Sequence, residues 1–416
     1  MKLEKSLCYV NLSDDLHRFS RINKELIQHL SISFNKIYIL NFHSLRIFSK
    51  KKKISIKKNK IFLPKNFIII NIKSSKDLLK FSRNKKLLVI INDITKSIMD
   101  FKIYYLLKKI NAKLIMISIT SMYGSKIFVD IPIKDLVKGY RHFFLKGFYY
   151  IWRILTIVNM FPKIDLLLES NAENIKAFNN GISRKFEKFF PFFKISLYRK
   201  IVHVNSSVFD TFYRNKNKKN NTKKNGKYIL YIDSPFASPD RISREGKLNL
   251  HDKQKFYKNL FIALNNISST FKKKIIISLH PSTIKSFSKS TKIFKTNNNI
   301  VVSKKRTVDL VNNSSIVLFT VSSAVLNAVI LKKKIISLKT KYLGKHNLKL
   351  NEKNTNGIRC PLIDIDKKIS ISKKKMNLKF KKAISHYDDF INRRLINKSN
   401  KPSYIEIVET IKKQKF

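Results

Sequence analysis

Residues 274–283 read KIIISLHPST, and residues 312–338 read NNSSIVLFTVSSAVLNAVILKKKIISL. Each carries a short, unbroken run of isoleucine, valine and leucine straight into small polar residues. A run of this length without polar alternation, closed by turn-forming residues, reads as a strand buried on both faces. Burial on both faces requires helices above and below, hence a parallel sheet. The second stretch holds a whole unit of that kind: strand SIVLFTV (315–321), helix SSAVLNAVILKK, then strand KIISL (334–338). His280-Pro281 closes the first strand, and Ser322-Ser323 closes the second.

The same rhythm extends outward. KYILYID (227–233) predicts a strand, and a helix over 252–268 carries Phe256, Leu260, Leu264 and Ile267 on one face. Strand NIVVS (299–303) and a short helix from Thr307 precede the serine-bearing unit. The first half repeats the pattern with strands at 6–12, 36–40, 66–72, 86–93, 112–120, 163–170 and 200–206, and helices around 74–83, 94–109 and 134–160. Between the halves, RNKNKKNNTKKNGK (214–227) offers fourteen positions with no apolar side chain, which reads as an exposed linker. Expected are a first domain over 1–213, the basic linker 214–227, a second domain over 228–365, and a helical segment 366–416 packing back across both. Both domains read as α/β, Rossmann-like and doubly wound, facing a cleft.

At 416 residues with 43% hydrophobic content, the chain has material for two cores despite a net charge of +61. The 87 basic residues comprise 72 lysines and 15 arginines, spread along the length. A skew toward Lys, Asn and Ile fits an AT-rich coding sequence, and sequence-specific nucleic-acid binding would favour arginine forks. No nucleic-acid module is recognisable, so a basic nucleic-acid-binding protein ranks third among the functions considered, and no specific nucleic acid is expected as a partner. Attraction to anionic substrates or anionic lipid needs only the field itself.

Cys8 and Cys360 make neither a disulfide framework nor a metal pattern, which fits a reducing, cytoplasmic compartment. The N-terminus meets acidic residues too early for a signal peptide. The window FFLKGFYYIWRILTIVNMF (143–161) is interrupted by Lys146 and Arg153, so it falls short of a membrane span. It fits either a core helix or an aromatic, basic helix lying against the inner face of a membrane.

In an open parallel sheet, ligands bind beyond the carboxyl ends of the strands. His280, Ser322 and Ser323 stand at such ends. Hydroxyls and free amides at a helix start attract an anion, so Ser322, Ser323 and the Ala324 amide are expected to hold a phosphate. His280, its turn fixed by Pro281, can donate to that phosphate or offset charge on it as it leaves. Proton acceptors are sought among strand-end carboxylates: Asp93, Glu169, Asp233, and Asp240 in the loop SPFASPD. Arg241 or Arg244 can pair with a phosphate or carboxylate. The only Asp-x-Asp is DID at 364–366, which reads as lying past the core sheet. No metal site and no cofactor are expected, and no glycine-rich phosphate loop occurs, which argues against P-loop enzymes.

HP ending one strand and SS opening a later helix resembles the nucleotide-binding half of GT-B glycosyltransferases that use CMP-sugars, such as bacterial sialyltransferases and Kdo transferases. CDP-glycerol glycerophosphotransferases carry a similar arrangement. YILYIDSPFASPD, IIISLHPST and TVDLVNNSSIVLFTVSSAVLNAVILKKKIISL together resemble bacterial capsule and lipopolysaccharide biosynthesis proteins, and the first half matches no motif. The resemblance implies a GT-B fold and nucleotide-phosphate contacts from His280, Ser322 and Ser323. It also implies inverting, metal-independent transfer of a sugar from a nucleotide donor, CMP-sugar favoured, to a glycan or lipid-linked acceptor. Polyol-phosphate transfer from CDP-glycerol, or sugar epimerisation, is the alternative on the same fold. The acidic pair followed by glycine that sialyltransferases keep in their acceptor domain is missing here.

Overall fold

The computed structural model describes residues 4–11, 24–42, 63–91, 98–118, 151, 155–172, 198–210, 213, 226–234, 250–280, 298–397 and 399–414. Seven strands make the first sheet: β1 (Glu4–Asn11), β2 (Ile37–Asn41), β3 (Phe67–Asn71), β4 (Lys85–Ile91), β5 (Lys113–Ser118), β6 (Ile164–Glu169) and β7 (Tyr198–His203), ordered β3-β2-β1-β4-β5-β6-β7. Six make the second: β8 (Tyr228–Ile232), β9 (Ile275–Ser278), β10 (Ile300–Ser303), β11 (Ser314–Phe319), β12 (Lys334–Lys339) and β13 (Leu362–Asp364), ordered β10-β9-β8-β11-β12-β13. Every pairing is parallel. In both sheets the first strand lies inside and the fourth pairs on its other side, which opens a crevice where the winding reverses.

Unbroken apolar strands do what their composition requires. In β8, Ile229 and Tyr231 enter one core while Leu230 and Ile232 enter the core on the opposite face. β11 divides Ile316 and Leu318 from Val317 and Phe319 in the same way. In the first sheet, Cys8 and Val10 face one core, Leu7 and Tyr9 the other. Burial pushes the Cys360 thiol up to about 12 and raises that of Cys8 still further, so neither is a ready thiolate.

Helices α1 (Lys24–Ser33), α2 (Ser75–Ser82) and α3 (Ile98–Lys109) accompany the first sheet. α4 (Leu250–Phe271), α5 (Thr307–Asn313), α6 (Val325–Ile330), α7 (Lys345–Ile358), α8 (Lys373–Ser385) and α9 (Tyr387–Arg394) accompany the second. α1, α7 and strand β13 were not foreseen from the sequence. The final helix α10 (Ser403–Lys412) returns to the first sheet, where Ile407, Val408 and Ile411 join Leu26, Ile27 and Leu30 of α1. Buried polar groups tie that return down. Asp210 accepts from the Ser403 amide and hydroxyl, each at 2.5 Å, and Glu406 accepts from the Asn205 amide at 2.6 Å and the Asn397 side chain at 2.8 Å. No helix among the described residues is long and apolar enough to cross a membrane. Of the sequence windows discussed above, 119–150 and 214–225 lie outside the described residues.

With only eight glycines in the chain, helix ends recruit other residues for left-handed backbone. Asn111, Asn159, Lys272, Lys332 and Arg359 have φ between 48° and 61°. At Lys272, the amide bonds Ser269 O at 3.3 Å and the next amide bonds Ser268 O at 3.1 Å, closing α4 in a Schellman motif. A side chain in this conformation costs about 1 kcal/mol. Lys272→Gly is therefore expected to stabilise the protein by about 1 kcal/mol in chemical denaturation, while Lys272→Ala, which removes the charge alone, gains little.

Candidate active site at the carboxyl edge of the second sheet

β8 is the central strand of the second sheet, and the two residues that follow it, Asp233 and Ser234, are both buried. They reach in opposite directions. The Asp233 amide bonds Ser278 O at 3.0 Å, and its carboxylate accepts the His280 amide at 3.4 Å, holding the chain as it leaves β9. Ser234 Oγ accepts the Val321 amide at 3.2 Å, holding the chain as it leaves β11. Neighbouring strands separate beyond their last ladder bonds, and these two side chains replace the missing rungs on either side. His280 and the serine pair thus flank β8, two strands apart rather than side by side. His280 is exposed, as is Ser323, while Ser322 is half-buried.

Asp233 was expected as a proton acceptor. At 2% exposure and bonded to the His280 backbone, it instead occupies the position of a residue that holds His280 in place. Its charge adds to burial in raising the phenol of Tyr231 well above the usual range, so that ring stays neutral.

The serine pair differs from the expected helix cap. α6 starts at Val325 with Ala324 at its N-cap, and the two serines form the turn before it. Ser322 Oγ accepts the Ala324 amide at 3.4 Å, while Ser322 O and Ser323 O accept the amides of Val325 and Leu326 at 3.3 and 3.1 Å. The pair is backbone-bound through its carbonyls, and the Ser323 side chain is left at the surface. Pro281, Asp240, Arg241, Arg244 and Asp93 lie outside the described residues.

α7 contributes a feature that the sequence reading missed. Its buried side is Asn347, Asn351, Asn354 and Thr355, with Ile358 the one apolar member. The Asn351 amide group donates to Thr320 O at 2.5 Å, Ser337 Oγ at 2.9 Å and Leu338 O at 3.2 Å. Thr355 Oγ1 donates to Ser337 Oγ at 2.7 Å. One asparagine therefore joins the exits of β11 and β12, just upstream of the serine turn. The available signal was the spacing of four small polar residues at 347, 351, 354 and 355, a helical stripe with polar rather than apolar members.

DID at 364–366 begins inside the sheet rather than wholly beyond it: Asp364 ends β13, and Ile365 and Asp366 follow. Asp366 is fully engaged, accepting from Thr340 Oγ1 at 2.8 Å, the Lys341 amide at 2.8 Å and Asn259 at 3.0 Å. Among the described residues, no group of three or more His, Cys, Asp or Glu side chains could hold a metal ion.

The corresponding edge of the first sheet also carries polar residues. Ser118, Glu169 and His203 are register partners across β5, β6 and β7. Glu169, sought as a strand-end base, is fully buried and accepts from Ser118 Oγ at 2.8 Å and the Asn171 amide at 2.9 Å. Half-buried His203 has Nε2 3.1 Å from Ser170 O.

No family model matches the chain, and neither does any curated protein. Similar folds occur among solved structures. The wall teichoic acid polymerase TagF superposes with a TM-score of 0.52 at 12% identity, over 98% of this chain and 88% of that one. A TagF variant soaked with CDPG gives 0.50 at 13% identity, over 99% and 88%. A putative UDP-N-acetylglucosamine 2-epimerase from Listeria monocytogenes gives 0.50 at 11% identity, over 99% and 96%. The chain has the two-domain α/β architecture of the GT-B fold.

Removing Asp233 would leave the His280 amide and a buried strand exit without their partner. Asp233→Ala is expected to lower stability by about 1–3 kcal/mol, and Asn351→Ala by a similar amount. Urea denaturation measures both, and an exposed control such as Lys272→Ala should fall well below them.

Proposed function

We propose that this protein is a metal-independent glycosyltransferase whose second domain binds a nucleotide-activated sugar at the carboxyl edge of β8, β9 and β11. The observation that carries this reading is the double clamp of Asp233 and Ser234. It fixes His280 on one side and the Val321–Ala324 turn on the other, around the point where the strand order reverses, the default ligand position in such sheets. The HP and SS resemblance supports a nucleotide phosphate between them and makes a CMP-sugar the first donor to test.

In this mechanism an acceptor hydroxyl of a glycan or lipid-linked glycan attacks the anomeric carbon. The bond from that carbon to the phosphate oxygen breaks, and the nucleotide departs with the electron pair. His280 offsets the charge that gathers on the leaving phosphate, and Ser322 and Ser323 hydroxyls hold its oxygens. Asp233 is a positioning residue for His280. The acceptor proton passes to a carboxylate, for which Asp240 remains the proposed group. Arg241 is proposed as a further phosphate partner. The excess of basic side chains favours an anionic donor at every step of approach.

Calorimetric titration of CMP, CDP, UDP and GDP into wild type and His280→Ala tests the reading. One nucleotide should bind at micromolar strength, with at least about tenfold weakening in the variant, or roughly 1.4 kcal/mol. Turnover of a matched donor panel then separates transfer of a sugar from transfer of a polyol phosphate. Failure of all four nucleotides to bind, alongside tight, salt-sensitive capture of an unrelated oligonucleotide, would sink it.

A further inference from the structure

Helix α7 buries two asparagines whose polar atoms are only partly used. Asn354 is 0% exposed, and neither its Oδ1 nor its Nδ2 has a hydrogen-bond partner among the described residues. Asn351, one turn earlier, is 1% exposed, and its Oδ1 is likewise unpartnered among them. Residues three apart on a helix are neighbours, with Cβ atoms about 5–6 Å apart. The three atoms therefore share one stretch of the buried face of α7.

The orientation of the Asn351 amide is fixed by what it touches. Its Nδ2 stands 2.5 Å from Thr320 O and 3.2 Å from Leu338 O, and backbone carbonyls can only accept. Turning the amide over would set oxygen against oxygen at both, so Oδ1 is the atom left without a donor. Ser337 Oγ lies on the Nδ2 side, at 2.9 Å, and is occupied further by Thr355 Oγ1 at 2.7 Å. Asn354 contrasts with Asn347 of the same helix, whose Nδ2 donates to Leu343 O at 3.0 Å. No such carbonyl engages Asn354 among the described residues.

Each buried donor or acceptor left dry carries its full desolvation penalty, and three of them would offset a large share of what a domain gains by folding. A group that fits must accept from one Nδ2 and donate to two Oδ1 atoms. A cation would be repelled by the Nδ2, an anion by both oxygens, and all three atoms are closed to bulk solvent. Water has the required donors and acceptor. We propose that this face of α7 is a buried hydration site. One structural water accepts from Asn354 Nδ2 and donates to Asn351 Oδ1, and a second water links it to Asn354 Oδ1.

The role of the site is positional. Ser234 holds the chain beyond β11 from the β8 side, and Asn351 holds Thr320 O from the β12 side. A water donating to Oδ1 polarises the amide and strengthens the Nδ2 donor that carries Thr320. The hydrated pair thus stiffens the strand exit from which the serine turn leaves. The proposal does not depend on the reaction assigned above, and its test reads solvent and stability without turnover.

A crystal structure of the full-length wild type, fine enough to order buried solvent, needs no variant. Density is expected within about 3 Å of both Asn351 Oδ1 and the Asn354 amide group. In solution, magnetic relaxation dispersion counts long-lived internal waters, and Asn354→Val should hold at least one fewer than wild type. Valine matches asparagine in helix propensity, and it removes the water's donor. Urea denaturation should find the unfolding equilibrium of that variant shifted at least about tenfold toward the unfolded state, because Asn351 Oδ1 loses its partner. A dry pair gives the opposite sign: the variant would shed two orphaned atoms and outlast wild type, which would overturn the proposal. An unchanged count of long-lived waters would overturn it too. So would a crystal in which Asn354 bonds a protein group directly, or in which its surroundings hold no density while other buried waters are ordered. Density that scatters anomalously after rubidium soaking would mark a cation and overturn it as well.

Discussion

A parallel sheet leaves its carboxyl edge with backbone groups that no neighbouring strand completes, and in this protein two adjacent side chains meet that need. Asp233 reaches to the exit of β9 and Ser234 to the exit of β11. Because β8 lies between those strands, a single Asp-Ser pair sets how far apart His280 and the serine turn stand. The rest of the candidate site depends on that spacing. A charged Asp233 is tolerable at such depth because one of its oxygens accepts a backbone amide and its own amide is bonded in turn.

α7 extends the same principle to the next strand pair. Its inward face would ordinarily be leucine and isoleucine, yet it is asparagine and threonine, since it covers strand exits rather than strand middles. Apolar residues there would leave Thr320 O, Leu338 O and Ser337 Oγ without donors. Stability and site geometry are thus coupled: the groups that satisfy the sheet edge are those that shape the surface where a ligand would lie.

Composition leaves its mark in the turns. A chain poor in glycine closes its helices on Asn, Lys and Arg in left-handed conformation. Each instance gives up some stability.

Sequence alone determined every strand but β13 and the doubly wound class, because runs such as YILYI and IVLF are apolar on both faces and can be buried only in a sheet covered twice. It also pointed to His280, Ser322 and Ser323, since strand ends carrying small polar residues mark the ligand side of such sheets. Only tertiary structure decided how those strand ends are held. The serines precede a six-residue helix instead of capping it, Asp233 and Glu169 are buried and bonded to backbone amides, and Asp364 ends an edge strand. The reason is physical: periodicity reports which face of an element is apolar, a property of neighbours along the chain. Whether a carboxylate at a strand end meets water or a backbone amide depends on groups that approach from 47 residues away, as His280 does to Asp233, and no local pattern encodes that distance.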